Sequence, residues 1–137
     1  MVSFDSHEPL LDKNCPVRQV IEIVGDKWTL PVIYVLRQGT KRYSELKREI
    51  PGISKKMLTQ TLRSLESDNI VKRKVYPVVP PKTEYNLTAF GTKLIEPLEV
   101  LADWAWKHQT QLQRICNRRN QEAAKKSVNS QKRHSRS

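Results

Sequence analysis

The spacing of apolar and polar positions divides the chain into short helices, a hairpin and one long helix. Pro16 suits a first helical position, where its missing N–H is harmless, and Val17, Val20, Ile21 and Val24 recur at helical spacing until Gly25. This places Cys15 at the N-cap of the first helix. A second helix is predicted from Asp26 to just before Gly39, with Trp28, Val32, Val35 and Leu36 toward a core. Pro31 forfeits one backbone hydrogen bond in its first turns, so a shifted start or a bend is expected there. Arg42-Tyr43-Ser44-Glu45-Leu46 opens a short third helix to Ile50, with Tyr43, Leu46 and Ile50 on one side. Pro51-Gly52-Ile53 reads as a tight turn. Ser54 then caps a helix to about Asp68, with Ile53 and Leu58 placed for a hydrophobic staple. Two helices joined by a glycine-containing turn form a helix-turn-helix pattern.

The second helix of that pattern sorts its residues by face. Leu58, Leu62 and Leu65 point inward with Met57 at their border, while Lys55, Thr59 and Arg63, four apart and flanked by Lys56 and Gln60, form the other face. Lys and Arg supply phosphate or guanine contacts, Gln can pair with adenine, and Thr can take a base edge or a thymine methyl. For an isolated helix, a polar face is simply solvated. Here the preceding turn and the local excess of positive charge favour double-stranded DNA.

After Asn69 the period changes to two. Ile70 to Tyr76 and Lys82 to Leu87 read as paired strands, and Pro77-Val78-Val79-Pro80-Pro81 as a stiff tip that cannot continue a ladder. A hairpin directly after a recognition helix has the placement of a wing, with Lys72, Arg73, Lys74 and Lys82 beside the sugar-phosphate backbone. Thr88 caps a final long helix whose apolar positions Leu94, Leu98, Leu101, Ala105, Leu112 and Ile115 alternate steps of four and three, with His108 in the one missing place. Such a helix to Arg114 spans about 40 Å at about 1.5 Å per residue, with a kink expected at Pro97. Trp104 and Trp106 add bulky surface. The economical reading is a dimer interface built from Leu94, Leu98, Leu101, Trp104, Ala105, His108 and Leu112; the alternative is a helix folded wholly onto its own core. A two-fold homodimer sets two recognition helices about 34 Å apart, one turn of DNA, over a palindromic operator. The fold class is therefore mainly α with a small β-hairpin, a winged helix-turn-helix with a long C-terminal dimerisation helix.

Composition sharpens this picture. The 137 residues carry a net charge of +11 and two cysteines. The positive excess is concentrated: residues 27–82 carry +9 and residues 117–137 carry +6, while 1–26 and 83–116 carry −3 and −1. Residues 117–137, with Val128 as the one large aliphatic, are expected to be a disordered basic tail that adds nonspecific, salt-sensitive affinity. Residues 1–14 are expected to be a flexible arm, and 15–116 the folded domain. The low cysteine count and the lack of a signal peptide or an apolar run of membrane-spanning length fit a reducing cytoplasm and association with the nucleoid, with no membrane partner. Enzymatic chemistry is not expected: His7, His108 and His134 are scattered, no Cys/His set has zinc spacing, and no glycine loop cradles phosphate. No cofactor or metal is implied. The competing class is a basic RNA-binding or architectural DNA-binding protein without sequence preference.

Several motifs occur in an order that resembles one family. Cys15-Pro16-Val17, Gly25-Asp26-Lys27-Trp28-Thr29-Leu30, Lys41-Arg42-Tyr43-Ser44-Glu45-Leu46, Pro51-Gly52-Ile53-Ser54-Lys55-Lys56-Met57-Leu58-Thr59-Gln60 and Val75-Tyr76-Pro77 through Pro81-Lys82-Thr83-Glu84-Tyr85 are similar to the HxlR family of bacterial transcription regulators, over about Cys15 to Trp106. The resemblance implies a homodimeric winged helix-turn-helix of MarR-like type, acting as repressor or activator. It implies DNA contacts from Ser54, Lys55, Lys56, Thr59, Gln60 and Arg63, with wing contacts around Pro81 and Lys82; Arg42, Ser44 and Arg73 are counted with them as candidate DNA-binding residues. Pro31 stands where the family usually has an aliphatic residue, and the basic tail exceeds the usual length.

Cys15 carries a second expectation. A thiol at a helix N-terminus meets the positive end of the dipole, which favours thiolate. Many members of the family are similar in keeping a cysteine at this Cys-Pro step, and in several it senses oxidants, quinones or aldehydes. The other reading is an inert cysteine packed against the second helix. Cys116 lies far along the chain, so a meeting with Cys15 is expected across a dimer rather than within one chain.

Overall fold

The computed structural model describes residues 12–136. The expected N-terminal arm thus falls, for residues 1–11, outside the described residues. In chain order the elements are α1 (Pro16–Val24), α2 (Thr29–Leu36), β1 (Lys41–Arg42), α3 (Tyr43–Glu49), α4 (Lys55–Ser67), β2 (Val71–Tyr76), β3 (Lys82–Leu87), α5 (Ala89–Thr92), α6 (Ile95–Lys107) and α7 (Gln109–His134). The chain divides between Leu98 and Glu99 into two units.

In the first unit, α2, α3 and α4 pack on a three-stranded antiparallel sheet of order β1-β3-β2. The core is Val32, Ile33 and Leu36 of α2, Leu46 of α3, Leu58, Leu62 and Leu65 of α4, and Ile70 and Val71 at the root of β2. Cys15 is indeed the N-cap of α1, with Pro16 at the first helical position and the Gly25 N–H donating to the Ile21 carbonyl. Yet α1 buries none of its side chains, and Val17, Val20 and Ile21 are 45%, 43% and 58% exposed. Its apolar stripe is real, but most of it faces outward.

The start of α2 is shifted, as Pro31 led one to expect. The helix begins at Thr29, not Asp26, which puts Pro31 in the first turn, where an α-helix leaves its amides without partners. Asp26 lies outside the helix and caps it at a distance: its Oδ1 accepts from the Trp28 and Thr29 amides at 2.7 and 2.8 Å, and its Oδ2 accepts from the Thr29 hydroxyl. Partial burial opposes ionisation of this carboxyl, but those three hydrogen bonds outweigh it and hold the group below the ordinary carboxylate range.

Just past the Asp68 C-cap of α4, Asn69 takes a φ of 58°, the left-handed conformation that asparagine tolerates, and the chain turns directly into β2. Thr88 locks the far end of the hairpin back onto this corner. Its amide donates to the Ile70 carbonyl at 2.9 Å, its hydroxyl donates to the Asn69 carbonyl at 2.7 Å, and its Oγ1 caps α5 by accepting from the Gly91 amide at 2.9 Å. Gly91 fits because a Cβ there would lie 2.1 Å from the Ile70 carbonyl oxygen.

The single long helix expected from Thr88 to Arg114 is instead three. Pro97 falls in the first turn of α6, where its missing N–H costs no intrahelical bond, rather than kinking a longer helix. His108, expected on the apolar seam, leaves helical geometry at φ −114° and ψ 22° and becomes the exposed N-cap of α7, its ring 4.9 Å from that of Trp104. The seam is divided as well. Leu94 and Leu98 pack against the core of the first unit. In the second unit Val100, Leu101, Trp104 and Trp106 are 51 to 71% exposed, and Ala105 and Leu112 are half-buried. No helix among the described residues is long and apolar enough to cross a membrane.

Within the segment 117–137, expected to be a disordered tail, α7 continues as helix to His134 without a buried residue. The stretch from Gln109 to His134 lacks both glycine and proline and is rich in Gln, Lys, Arg and Ala, which lose little on entering a helix. Counting only what the segment could bury overlooked that propensity.

Candidate nucleic-acid interface

The helix-turn-helix is assembled by local chemistry. At the start of α3 the Arg42 amide donates to the Glu45 carboxylate at 3.1 Å, half of a capping box. Lys41 pairs with Glu49 at 2.9 Å across the same helix. Gly52 takes a φ of +81°, which lets the turn reverse within three residues. Ile53 and Leu58, the expected staple, are both buried at the mouth of α4, and Ser54 Oγ accepts from the Met57 amide at 3.1 Å.

α4 then presents two faces as the spacing requires. Leu58, Thr61, Leu62 and Leu65 are buried, while Ser54, Lys55, Lys56, Gln60 and Arg63 are exposed. A shallow open groove runs over Lys55, Lys56, Thr59, Gln60, Arg63 and Ser64. The expected DNA-facing residues of α4 therefore share one surface. Thr59 differs from its neighbours: it is half-buried, and its hydroxyl lies 3.0 Å from that of Tyr43, which also donates to the Lys55 carbonyl at 2.9 Å. Tyr43 ties α3 to the first turn of α4 through one hydroxyl. The sequence placed Tyr43 only on an apolar side; a tyrosine whose ring packs inward needs a partner for its O–H, and that was the available signal. Arg42 and Ser44 are exposed at the N-terminal end of α3.

The hairpin splits the four cations expected along the backbone. Arg73 pairs in register with Tyr85 and shares its face with the buried Val71, so it points toward α4 and reaches Glu66 at 3.5 Å. Arg63, Glu66, Arg73 and Tyr85 line a small cleft between α4 and the sheet, and burial raises the Tyr85 hydroxyl above its ordinary pKa. Lys72, Lys74 and Lys82 belong to the opposite face by strand alternation. There Lys74 and Lys82 lie over the Tyr76 ring at 4.9 and 5.5 Å, and Glu84 takes the Tyr76 hydroxyl at 3.0 Å and Lys82 at 3.6 Å. Tyr76 and Glu84, absent from the expected site, hold these lysines in place. Pro81 is exposed at the tip beside Val79, which is fully exposed.

The thiols are placed differently from each other. Cys15 is 2% exposed and makes no capping hydrogen bond, so the cap position expected from sequence is occupied but the thiol does not itself serve as the cap. Cys116 is exposed on α7. Among the described residues no group of His, Cys, Asp and Glu has the arrangement of a metal site.

Comparison with known proteins points the same way. Residues 23–113 match the family model of the HxlR-like helix-turn-helix. YtfH of Escherichia coli, an uncharacterized helix-turn-helix-type transcriptional regulator, is 45% identical over 95 residues, which cover 69% of this chain and 75% of the relative. Among solved structures, a MarR-family regulator from Porphyromonas gingivalis is 41% identical with a TM-score of 0.69, covering 72% of this chain and 97% of its own. The redox regulator HypR in its reduced form is 40% identical with a TM-score of 0.68, covering 72% and 97%, and its oxidized form matches as well.

Proposed function

The chain belongs to the HxlR-like helix-turn-helix family, DNA-binding transcriptional regulators rather than enzymes, and from that premise we propose that it binds a palindromic operator as a homodimer and is released through Cys15. The observation that carries the reading is the outer face of α4, where Lys55, Lys56, Gln60 and Arg63 are exposed on one groove while the leucines behind them are fixed in the core. That arrangement supplies two phosphate or guanine donors at the helix N-terminus and a bidentate amide one turn further on. Homodimerisation is supported by two apolar surfaces left exposed in the single chain, Val17, Val20 and Ile21 on α1 and Val100, Leu101 and Trp104 on α6. Release by an oxidant, quinone or aldehyde is supported by the N-cap position of Cys15 and by a relative, the redox regulator HypR, with both reduced and oxidized forms. Because Cys15 is buried, modification requires an opening of the α1 N-terminus.

Fluorescence anisotropy on the palindrome upstream of the chain's own coding sequence tests the proposal. The operator is expected to bind about a thousandfold tighter than random duplex at physiological salt. Equal affinity for random duplex or structured RNA would show a nonspecific nucleic-acid binder instead. Cys15→Ser is expected to keep the reduced-state affinity and to lose release by diamide; release that persists in this variant removes Cys15 from the mechanism.

A further inference from the structure

The cations of α7 are not scattered around the helix. Arg118-Arg119, Lys125-Lys126 and Lys132-Arg133 are adjacent pairs repeated every seven residues. Seven residues of α-helix advance about 10 Å and return to within about 20° of the starting azimuth, so the three pairs form two parallel rows on one side, with Glu122 the one carboxylate between them. The opposite side holds Asn117, Asn120, Ala124, Ser127, Val128 and Gln131, with no charge. Every residue of α7 from Gln113 onward is exposed. A membrane-surface helix needs a face of Trp, Phe or Leu opposite its cations, and here that face is amide, hydroxyl and methyl groups. A double helix, with one phosphate charge for about every 1.7 Å of axis, fits a straight double row of cations whose far side stays in water.

We propose that α7 is a second DNA-binding element, an ordered helix that lays its cationic rows along the phosphate backbone of duplex adjoining the operator. This rests on the DNA-binding reading above. It differs from a disordered basic tail in one respect: the side of the helix on which a cation sits matters, not only the number of cations.

The test uses the full-length chain and two duplexes, one trimmed to the operator and one extended by about two helical turns on each side. In the first variant, Arg118→Gln, Arg119→Gln, Lys125→Gln, Lys126→Gln, Lys132→Gln and Arg133→Gln are combined, glutamine being a good helix former. On the extended duplex this variant is expected to lower the slope of log K against log salt by up to about 5 per protomer, and on the trimmed duplex to match the wild type. In the second variant the central pair is moved to the uncharged side at constant charge, by Ala124→Lys and Ser127→Lys with Lys125→Ala and Lys126→Ala. This variant is expected to lose about 2 from the slope on the extended duplex. A slope unchanged in the glutamine variant overturns the proposal, and so does a rotated variant that behaves as wild type. Binding to phosphatidylserine vesicles that the glutamine variant loses, with its DNA affinity intact, would overturn it in favour of a membrane surface. Repeating the comparison on an extended duplex of scrambled sequence separates the two proposals: equal affinity for the scrambled and the operator duplex refutes the specific regulator, whereas the slope difference between variants reports on α7 alone.

Discussion

α4 and α7 are both basic helices, and their difference lies in what stands behind the cations. In α4 Leu58, Leu62 and Leu65 are buried, so Lys55, Gln60 and Arg63 are held at fixed positions relative to α3 and the hairpin. In α7 no residue is buried, and the rows of cations are ordered only along their own helix. A donor can discriminate a base edge when its position is fixed to within a fraction of a hydrogen-bond length, whereas attraction to phosphate needs only charge and approximate alignment. In the proposed scheme, readout belongs to the helix with a core behind it, and backbone tracking to the one without.

The sharpest way to break this comparison is to remove apolar atoms from each helix. Leu58→Ala is expected to cost about 3 kcal/mol of unfolding free energy, and Val128→Ala less than about 0.5 kcal/mol, in urea denaturation followed by tryptophan fluorescence. Comparable costs would mean that α7 packs as α4 does. Next in size is Gly91→Ala. The added methyl group meets the Ile70 carbonyl and must displace the corner joining α4 to the sheet, at a cost of about 2 kcal/mol, readable as a lowered Tm.

Ser54→Ala removes the α4 cap and is expected to cost about 1 kcal/mol, with operator affinity falling while the salt slope due to α7 stays unchanged. A reduced slope in this variant would show that the two helices do not act separately. The smallest effect concerns pH. Asp26 is held below its ordinary pKa by bonds formed only on folding, so its contribution is fully present above the unfolded value of about 3.9 and is lost as pH falls through the lower folded value. Asp26→Asn should accordingly lower Tm near neutral pH and converge on the wild type below that window. Offset curves that stay parallel through the acid range would assign the effect to something other than the carboxylate charge.

Much of the site was legible because it rests on near-neighbour chemistry. Ser54 and Met57, Pro51-Gly52-Ile53 and the prolines of the wing tip each dictate local backbone within a few residues, so the helix-turn-helix and the hairpin appear where spacing places them. What spacing could not supply was orientation. The two-residue strand β1 exists only because β3 lies beside it, and Arg73 turns toward Glu66 while its strand neighbours turn away. The tie from the Tyr43 hydroxyl to Lys55 and Thr59 joins residues 12 and 16 apart, through a contact that no periodicity encodes.

The same division holds for the whole chain. Capping residues, turn residues and the amphipathic periods of α1 and α4 determine which segments are helix, because each acts through the backbone of its own neighbourhood. Whether an apolar stripe is then spent on the protein's own core is decided elsewhere. Leu94 and Leu98 are drawn inward, whereas Val17, Ile21, Leu101 and Trp104, likewise apolar and at helical spacing, remain exposed. Burial depends on which other elements occupy the space opposite a face. Only the packed chain specifies that space.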